Sequence, residues 1–252
     1  MPMLQTVDHR LYTNNPVREL RIGRPPVNAF NAELLTLLRD SIGDAQRSGI
    51  GALVLSGRNG VFSAGLDLKE AARLSRDEFT DTLQALRDVT LAIGCSDIPI
   101  ASAITGDCLG AGAIFSLFCD YRVMHKHARR FGMTEVRGGM AVGRHVVHAL
   151  ARIVGEHQAQ RLVLGARVLD ARQARRLGLA DELADPRFVV GRAVAWCDRM
   201  LGLPRRAMLD TRTAARAGIR QVLMEYEAES IENRAHERFD ENVRKSLGGL
   251  LE

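Results

Sequence analysis

The feature that most constrains this chain is a pattern that occurs twice. An apolar strand runs into a glycine-bearing turn, and the turn opens a helix. The first instance reads Gly60-Val-Phe-Ser-Ala-Gly-Leu-Asp-Leu68; the second reads Gly106-Asp-Cys-Leu-Gly-Ala-Gly112 and follows an apolar strand over Ile100 to Thr105. Both turns are expected at strand carboxyl ends, where open α/β folds place their ligands. A chain with this grammar is an α/β protein rather than a helical bundle or a β-sandwich.

The surrounding sequence fits that frame. Val17 to Ile22 alternates apolar and polar residues, as a half-buried strand does. Asn31 is placed to cap a helix through about Ala45, with Leu34, Leu35, Leu38 and Ile42 on one face. Ala52 to Leu55 reads as a buried strand, Gly57 to Gly60 as a turn, and Asp67 as the cap of a further helix. Ser75-Arg-Asp-Glu78 has capping-box spacing and opens a helix through about Ile93. Gly106 to Gly112 reads as turn throughout, followed by a buried helix over Ala113 to Phe118 and a strand over Tyr121 to Met124. Beyond residue 143 the pattern is helical: Arg144–Val154, Gln158–Gly165, Asp170–Gly178, Val189–Leu201, and a polar helical tail from Thr211 to Leu251. The division expected is a core over residues 1–195 and a helical, oligomer-forming region over 196–252.

Composition narrows the class. At 252 residues and 46% apolar content, the chain can bury one sizeable core. The net charge of +5 has three readings: a solvated surface, an anionic ligand or nucleic acid. The aromatic content of 5% offers few stacking platforms for nucleic acid, and that reading is set aside. Cys95, Cys108, Cys119 and Cys197 lack metal-ligand spacing and read as small buried side chains in a reducing compartment. No apolar run is long enough to cross a membrane, so a soluble cytoplasmic protein is expected.

The turns carry chemistry through the main chain. Gly65 permits a backbone closed to other residues and leaves the Leu66 amide exposed beside a helix start. Ala111 lies between Gly110 and Gly112 at a second helix start. Two such amides converging on one point form an oxyanion hole, able to hold the enolate formed when a proton leaves the carbon beside a thioester carbonyl. Taken singly, such a turn is more often a plain connector.

Arg24-Pro-Pro-Val-Asn-Ala29, Val61-Phe-Ser-Ala-Gly-Leu-Asp-Leu68, Ser102-Ala-Ile-Thr-Gly106 and Cys119-Asp-Tyr-Arg122 together resemble the enoyl-CoA hydratase/isomerase (crotonase) family. The first turn looks most like that of mitochondrial-type Δ3,Δ2-enoyl-CoA isomerases. The resemblance covers residues 17 to 185 and continues more weakly to the end. It implies a superhelix of repeated ββα units followed by helices that pack in a homotrimer or dimer of trimers. It also implies an acyl-CoA substrate, with coenzyme A as part of that substrate and no tightly bound cofactor. The amides of Leu66 and Ala111 would form the oxyanion hole, although Ala111 stands where glycine is common. Ala64, Gly65, Asp67, Leu68 and Gly110 would lie along the substrate. Lys69 would meet a CoA phosphate or be a solvated lysine.

Two glutamates serve hydratases of this family. One position is Ile114 here; the other matches Glu135 in Phe131-Gly-Met-Thr-Glu135. Hydration favours two cooperating groups, whereas moving a double bond from C3 to C2 needs one base that returns its proton at C4. The reading is therefore a 3-enoyl-CoA to 2-trans-enoyl-CoA isomerase with Glu135 as proton shuttle. Enoyl-CoA hydration, thioester hydrolysis, decarboxylation and non-catalytic acyl-CoA binding stay open. His145 and His148 share a helix face but lack a third ligand, so no metal is expected. His145 is a candidate pocket residue, Gly138, Gly139 and Gly143 a candidate pocket wall, and Asp107 a turn residue.

Overall fold

A computed structural model describes residues 2–228. The repeating unit is strand, strand, helix; the first unit gives both strands to one sheet, and each later unit gives one strand to each of two sheets. The larger sheet contains β1 (Leu4–His9), β2 (Val17–Ile22), β3 (Ala52–Ser56), β5 (Ile100–Ile104), β7 (Tyr121–His125) and β9 (Glu182–Ala184), in that spatial order. β1 is antiparallel to β2, and all other pairings are parallel. Every residue of β3 and β5 is buried, as parallel strands covered on both faces require.

Residue size sorts the two faces. Small side chains (Val17, Ala52, Val54, Ala101, Ala103) meet helix α8 (Val189–Leu201), which lies close against them. The opposite face carries Leu20, Ile22, Leu53, Leu55 and Ile104 into the main core, beneath α1 (Ala32–Arg47) and α3 (Arg76–Gly94). Asn31 caps α1 by accepting the Leu34 N–H at 3.0 Å, and Ser75 and Glu78 form the expected capping box of α3.

The smaller sheet was not legible beforehand. It consists of β4 (Gly60–Ser63), β6 (Gly106–Leu109) and β8 (Phe131–Gly132), all parallel, in the order β4-β6-β8. Gly106 to Leu109 is thus strand rather than turn. Glycine has low strand propensity, but pairing with β4 on one side and β8 on the other outweighs it. Only Gly110 remains as the turn before helix α4 (Ala111–Phe118).

Between these elements lie α2 (Leu68–Ala71), α5 (Arg144–Val154), α6 (Glu156–Leu164) and α7 (Ala171–Arg176). The helical tail begins as α9 (Arg205–Ala215) and α10 (Ala217–Ala228); α10 packs against α3 and α5 of its own chain. The rest of the expected tail, residues 229–252, lies outside the described residues. No helix of the described residues is long and apolar enough to cross a membrane.

Candidate active site

β4 and β6 are parallel neighbours, so the turns that follow them emerge side by side. Gly65 has φ +92° and Gly110 has φ +54°, both in the region that only glycine occupies readily. A Cβ built on Gly65 would lie 3.2 Å from the Ala111 nitrogen; one built on Gly110 would lie 3.4 Å from the Gly65 Cα. A side chain at Gly65 would crowd the backbone of the facing turn, whereas at Gly110 the positive φ rather than the space selects glycine.

The first turn is tied to the segment before α1. Phe30 N–H donates to Gly65 O and Asp67 N–H donates to Phe30 O, each at 2.8 Å. In such a parallel bridge the central residue, Leu66, turns its own N–H away from Phe30. Ser63 Oγ donates to Asn28 O at 2.7 Å and accepts the Gly65 N–H at 3.0 Å. The buried Asn28 donates from Nδ2 to Phe62 O at 3.1 Å.

Arg24 completes the tether. Its Nη1 donates to Asp67 Oδ2 at 2.6 Å and to Ala29 O at 3.0 Å, and its Nη2 donates to Glu70 Oε2 at 2.9 Å. Asp67 also caps α2, accepting the Glu70 N–H at 3.0 Å. Burial alone would raise the Asp67 carboxyl. The Glu70 N–H and the Arg24 guanidinium outweigh it and hold the group below the usual carboxylate range.

The second turn relies on main chain and packing. Gly110 N–H donates to Gly132 O at 2.9 Å, and Cys108 N–H donates to Arg130 O at 2.8 Å. Every residue of α4 is buried. Within the described residues, no protein acceptor is hydrogen-bonded to the Leu66 or the Ala111 amide.

Glu135 opens a 3-10 turn over Glu135–Gly138, immediately after β8. Its Oε1 lies 3.5 Å from where a Cβ on Gly110 would stand. Leu66, Ala111 and Glu135 therefore share one cavity of about 340 Å³, with Ala64, Leu68 and Gly110 also in its wall. Leu83, Leu86, Ile114, Val142 and Val146 make its sides apolar, and Gly138 and Gly143 also contribute. His145 lines it too, stacked on Tyr226 of α10 with ring centroids 3.6 Å apart. The end of the cavity is thus covered by a C-terminal helix of the same chain, a question the sequence left open.

Not every anticipated residue meets the cavity. Lys69 is exposed on α2, outside the wall, and the Asp67 carboxylate is occupied by Arg24 and its own helix. Asp107 accepts the Arg129 and Arg130 N–H groups, each at 3.2 Å. Among the described residues, no three His, Cys, Asp or Glu side chains gather as a metal site. A second groove of about 450 Å³ between α8 and α9 is apolar; its one carboxylate, Asp120, is already bonded to Arg212 and Arg216.

Sequence reasoning missed Arg24, Ser63 and Tyr226. Arg24 stood in a recognised motif, but its bond to Asp67 spans 43 residues and leaves no periodic signal. Tyr226 sits in a charged helical stretch whose packing partner is invisible in one dimension.

Comparisons with known proteins bear on the fold and the family. The chain is 34% identical over 206 residues to a probable enoyl-CoA hydratase of Mycobacterium avium, covering 81% of this chain and 77% of that one. It is 26% identical to the human mitochondrial enoyl-CoA delta isomerase 1, covering 94% of this chain and 79% of that one. The crystal structure of human mitochondrial delta3-delta2-enoyl-CoA isomerase superposes with a TM-score of 0.89 at 24% identity, covering 99% of this chain and 97% of that one. That of the enoyl-CoA hydratase EchA3 from Mycobacterium ulcerans gives 0.81 at 24% identity, covering 94% and 99%. The enoyl-CoA hydratase/isomerase family profile matches residues 12–252, and with the paired turns in one crotonase-fold cavity the chain belongs to the enoyl-CoA hydratase/isomerase family.

Proposed function

We propose that the protein isomerises 3-enoyl-CoA to 2-trans-enoyl-CoA with Glu135 as its single proton shuttle. The observation that carries this reading is that Glu135 is the one carboxylate among the described residues lining the cavity, while Ile114 faces the same space. An isoleucine can neither hold a water nor donate a proton.

The thioester carbonyl oxygen sits between the Leu66 and Ala111 amides. Glu135 takes a proton from C2, and the electron pair moves onto the oxygen as an enolate. As the enolate collapses, the double bond forms between C2 and C3, and Glu135 returns the proton to C4. Preorganised amides of this kind are worth about 10²–10³ in kcat each, and a positioned general acid–base about 10²–10⁴. Coenzyme A enters as part of the substrate. The same reading carries a cytoplasmic homotrimer or dimer of trimers, with residues 196–252 as the assembly region.

One observation favours hydration instead: relatives at 34% identity are named probable enoyl-CoA hydratases. Supplying 3-enoyl-CoA and 2-trans-enoyl-CoA separately and identifying products decides between them. Isomerisation predicts 2-trans-enoyl-CoA from the first and negligible 3-hydroxyacyl-CoA from the second. Glu135→Gln should abolish turnover while acyl-CoA binding stays nearly intact; an active Gln variant sinks the assignment.

A further inference from the structure

We infer that Ser63 is the positioning residue for both amide-bearing turns: a bulge in β4 aims it between them, and its side chain fixes the separation of the Leu66 and Ala111 amides. This rests on the acyl-CoA reading of that amide pair and names what holds the pair in register.

β4 and β6 do not match residue for residue. Gly60 pairs with Gly106 and Val61 with Asp107, but the next pair is Ser63 with Cys108, so Phe62 is an extra residue on β4. Residues two apart on a regular strand share a face. Here Val61 and Ser63 oppose neighbouring residues of β6, and so they face opposite ways. A bulge of this kind re-aims a side chain, and bulges are common beside active sites. The extra residue is anchored. The Phe62 ring is buried in the main core. Asn28 Nδ2 donates to Val61 O at 3.3 Å and to Phe62 O at 3.1 Å, and Thr105 Oγ1 donates to Val61 O at 3.3 Å. The carbonyls at the bulge thus find side-chain donors, as buried main-chain groups must.

Ser63 meets both turns. Toward the first, its Oγ accepts the Gly65 N–H at 3.0 Å while donating to Asn28 O at 2.7 Å. Toward the second, a Cβ on Gly112 would stand 2.9 Å from Ser63 Cβ and 3.3 Å from Ser63 O. Gly65 directly precedes Leu66 and Gly112 directly follows Ala111, so each contact lies one residue from an amide. Ser63 is fully buried, and water cannot replace the bonds its hydroxyl makes. The two contacts can be broken separately. Alanine at 63 keeps the packing on Gly112 and loses the acceptor for Gly65. Alanine at 112 keeps that acceptor and pushes the two turns apart, because the atom it meets is a Cβ next to the main chain and not the end of a flexible side chain. Misplacing a group by about 1 Å at a reacting centre costs on the order of 10²-fold in rate.

The test reads the substrate carbonyl itself. Isotope-edited infrared difference spectroscopy follows the thioester C=O stretch of octanoyl-CoA, which has no double bond to move, bound to the wild type, Ser63→Ala, Ser63→Cys and Gly112→Ala. Binding to the wild type should move the stretch to lower frequency, because two amides polarise the oxygen. Ser63→Ala and Gly112→Ala should each lose most of that displacement. With 3-enoyl-CoA their kcat should fall on the order of 10²-fold while KM changes far less. Ser63→Cys has a weak acceptor of similar shape and should fall between; it also carries the measurement if Ser63→Ala does not fold. If Gly112→Ala does not fold, Ser63→Gly/Gly112→Ala removes the Cβ it meets and should fold; failure of the double variant too overturns the inference. Urea midpoints report stability separately. A lower midpoint with wild-type displacement and kcat makes Ser63 a structural residue only and overturns the inference. Loss in Ser63→Ala with wild-type behaviour in Gly112→Ala also overturns it, because the serine then serves one turn. A wild type that gives no displacement removes the amide pair and this inference with it. Displacement that responds as described in a protein that isomerises nothing keeps this inference and sinks the isomerase reading alone.

Discussion

The two turns offer the same chemical group, a main-chain amide at a helix start, but are held by different means. The first is tethered by side chains: Arg24, Asn28, Ser63 and Asp67 fix it to the segment before α1, and the helix it opens, α2, is four residues long. The second is set in a wholly buried helix and in main-chain pairing with β8. A tether of hydrogen bonds fails one bond at a time and depends on charge. A packed glycine turn depends instead on its backbone conformation, since a side chain at φ +54° is strained whatever the space around it.

The largest effect is expected where packing holds. Gly110→Ala puts a methyl at φ +54°, 3.4 Å from Gly65 Cα and 3.5 Å from Glu135 Oε1. Loss of one aligned amide costs about 10³-fold in kcat, with strain of about 1–3 kcal/mol in stability. Steady-state kinetics and urea titration check both figures; near-normal turnover would remove the second turn from the site.

The tether should yield more gently. Arg24→Ala leaves the main-chain bridge from Phe30 in place, and a fall of about 10–100-fold in kcat is expected with a smaller change in KM. That is the loss of charge-assisted hydrogen bonds worth about 1.5–3 kcal/mol. Arg24→Lys should recover part of it, since an ammonium reaches one carboxylate but cannot reproduce the fork. Equal kinetics for Arg24→Ala and wild type would make the tether irrelevant to catalysis.

The tether also has a pH signature. Asp67 is held below its ordinary value. Its contribution is therefore fully present above the unfolded carboxyl value near about 3.9 and is lost as pH falls through the folded value. Wild-type stability from this pair should decline only below about pH 4. In Arg24→Ala the lowering cause weakens, so the gap between folded and unfolded values narrows and the pH-dependent contribution shrinks. Urea midpoints from pH 3 to 7 for wild type, Arg24→Ala and Asp67→Asn test this; Asp67→Asn should show no such component.

The smallest effect probes the packed turn at rest. Burial pushes the Cys108 thiol well up, and burial followed by the nearby Asp120 pushes Cys119 up to about 12. These thiols flank the second turn and its helix. Neither should react with iodoacetamide in the native protein at pH 8, because the thiolate is the nucleophile. Mass spectrometry showing rapid labelling at Cys108 would mean that the second turn opens readily.

Much of the architecture was legible because its signals are local. Capping residues Asn31, Ser75 and Asp170 and the apolar periods behind them gave α1, α3 and α7 their starts. Four strands of the large sheet, β2, β3, β5 and β7, were legible from runs such as Ala52 to Leu55, since strands buried on both faces are largely apolar; the edge strands β1 and β9 were not. The small sheet was missed because β4, β6 and β8 are two to four residues long and contain Gly60, Gly106 and Gly132. Their strand character comes from partners 20 to 50 residues away. At the site, Leu66, Ala111 and Glu135 could be named from motif and mechanism, yet Arg24 and Tyr226 could not.

By itself the sequence determined which groups are available: two glycine-released amides, one glutamate, and an isoleucine where an acid would be needed for hydration by two carboxylates. Those are properties of residue type and neighbour, so they survive without coordinates. Only the tertiary structure decided that the two turns share one cavity with Glu135 and that α10 closes that cavity from the same chain. Each depends on strand order and on close approaches between segments far apart in sequence, which no local pattern encodes.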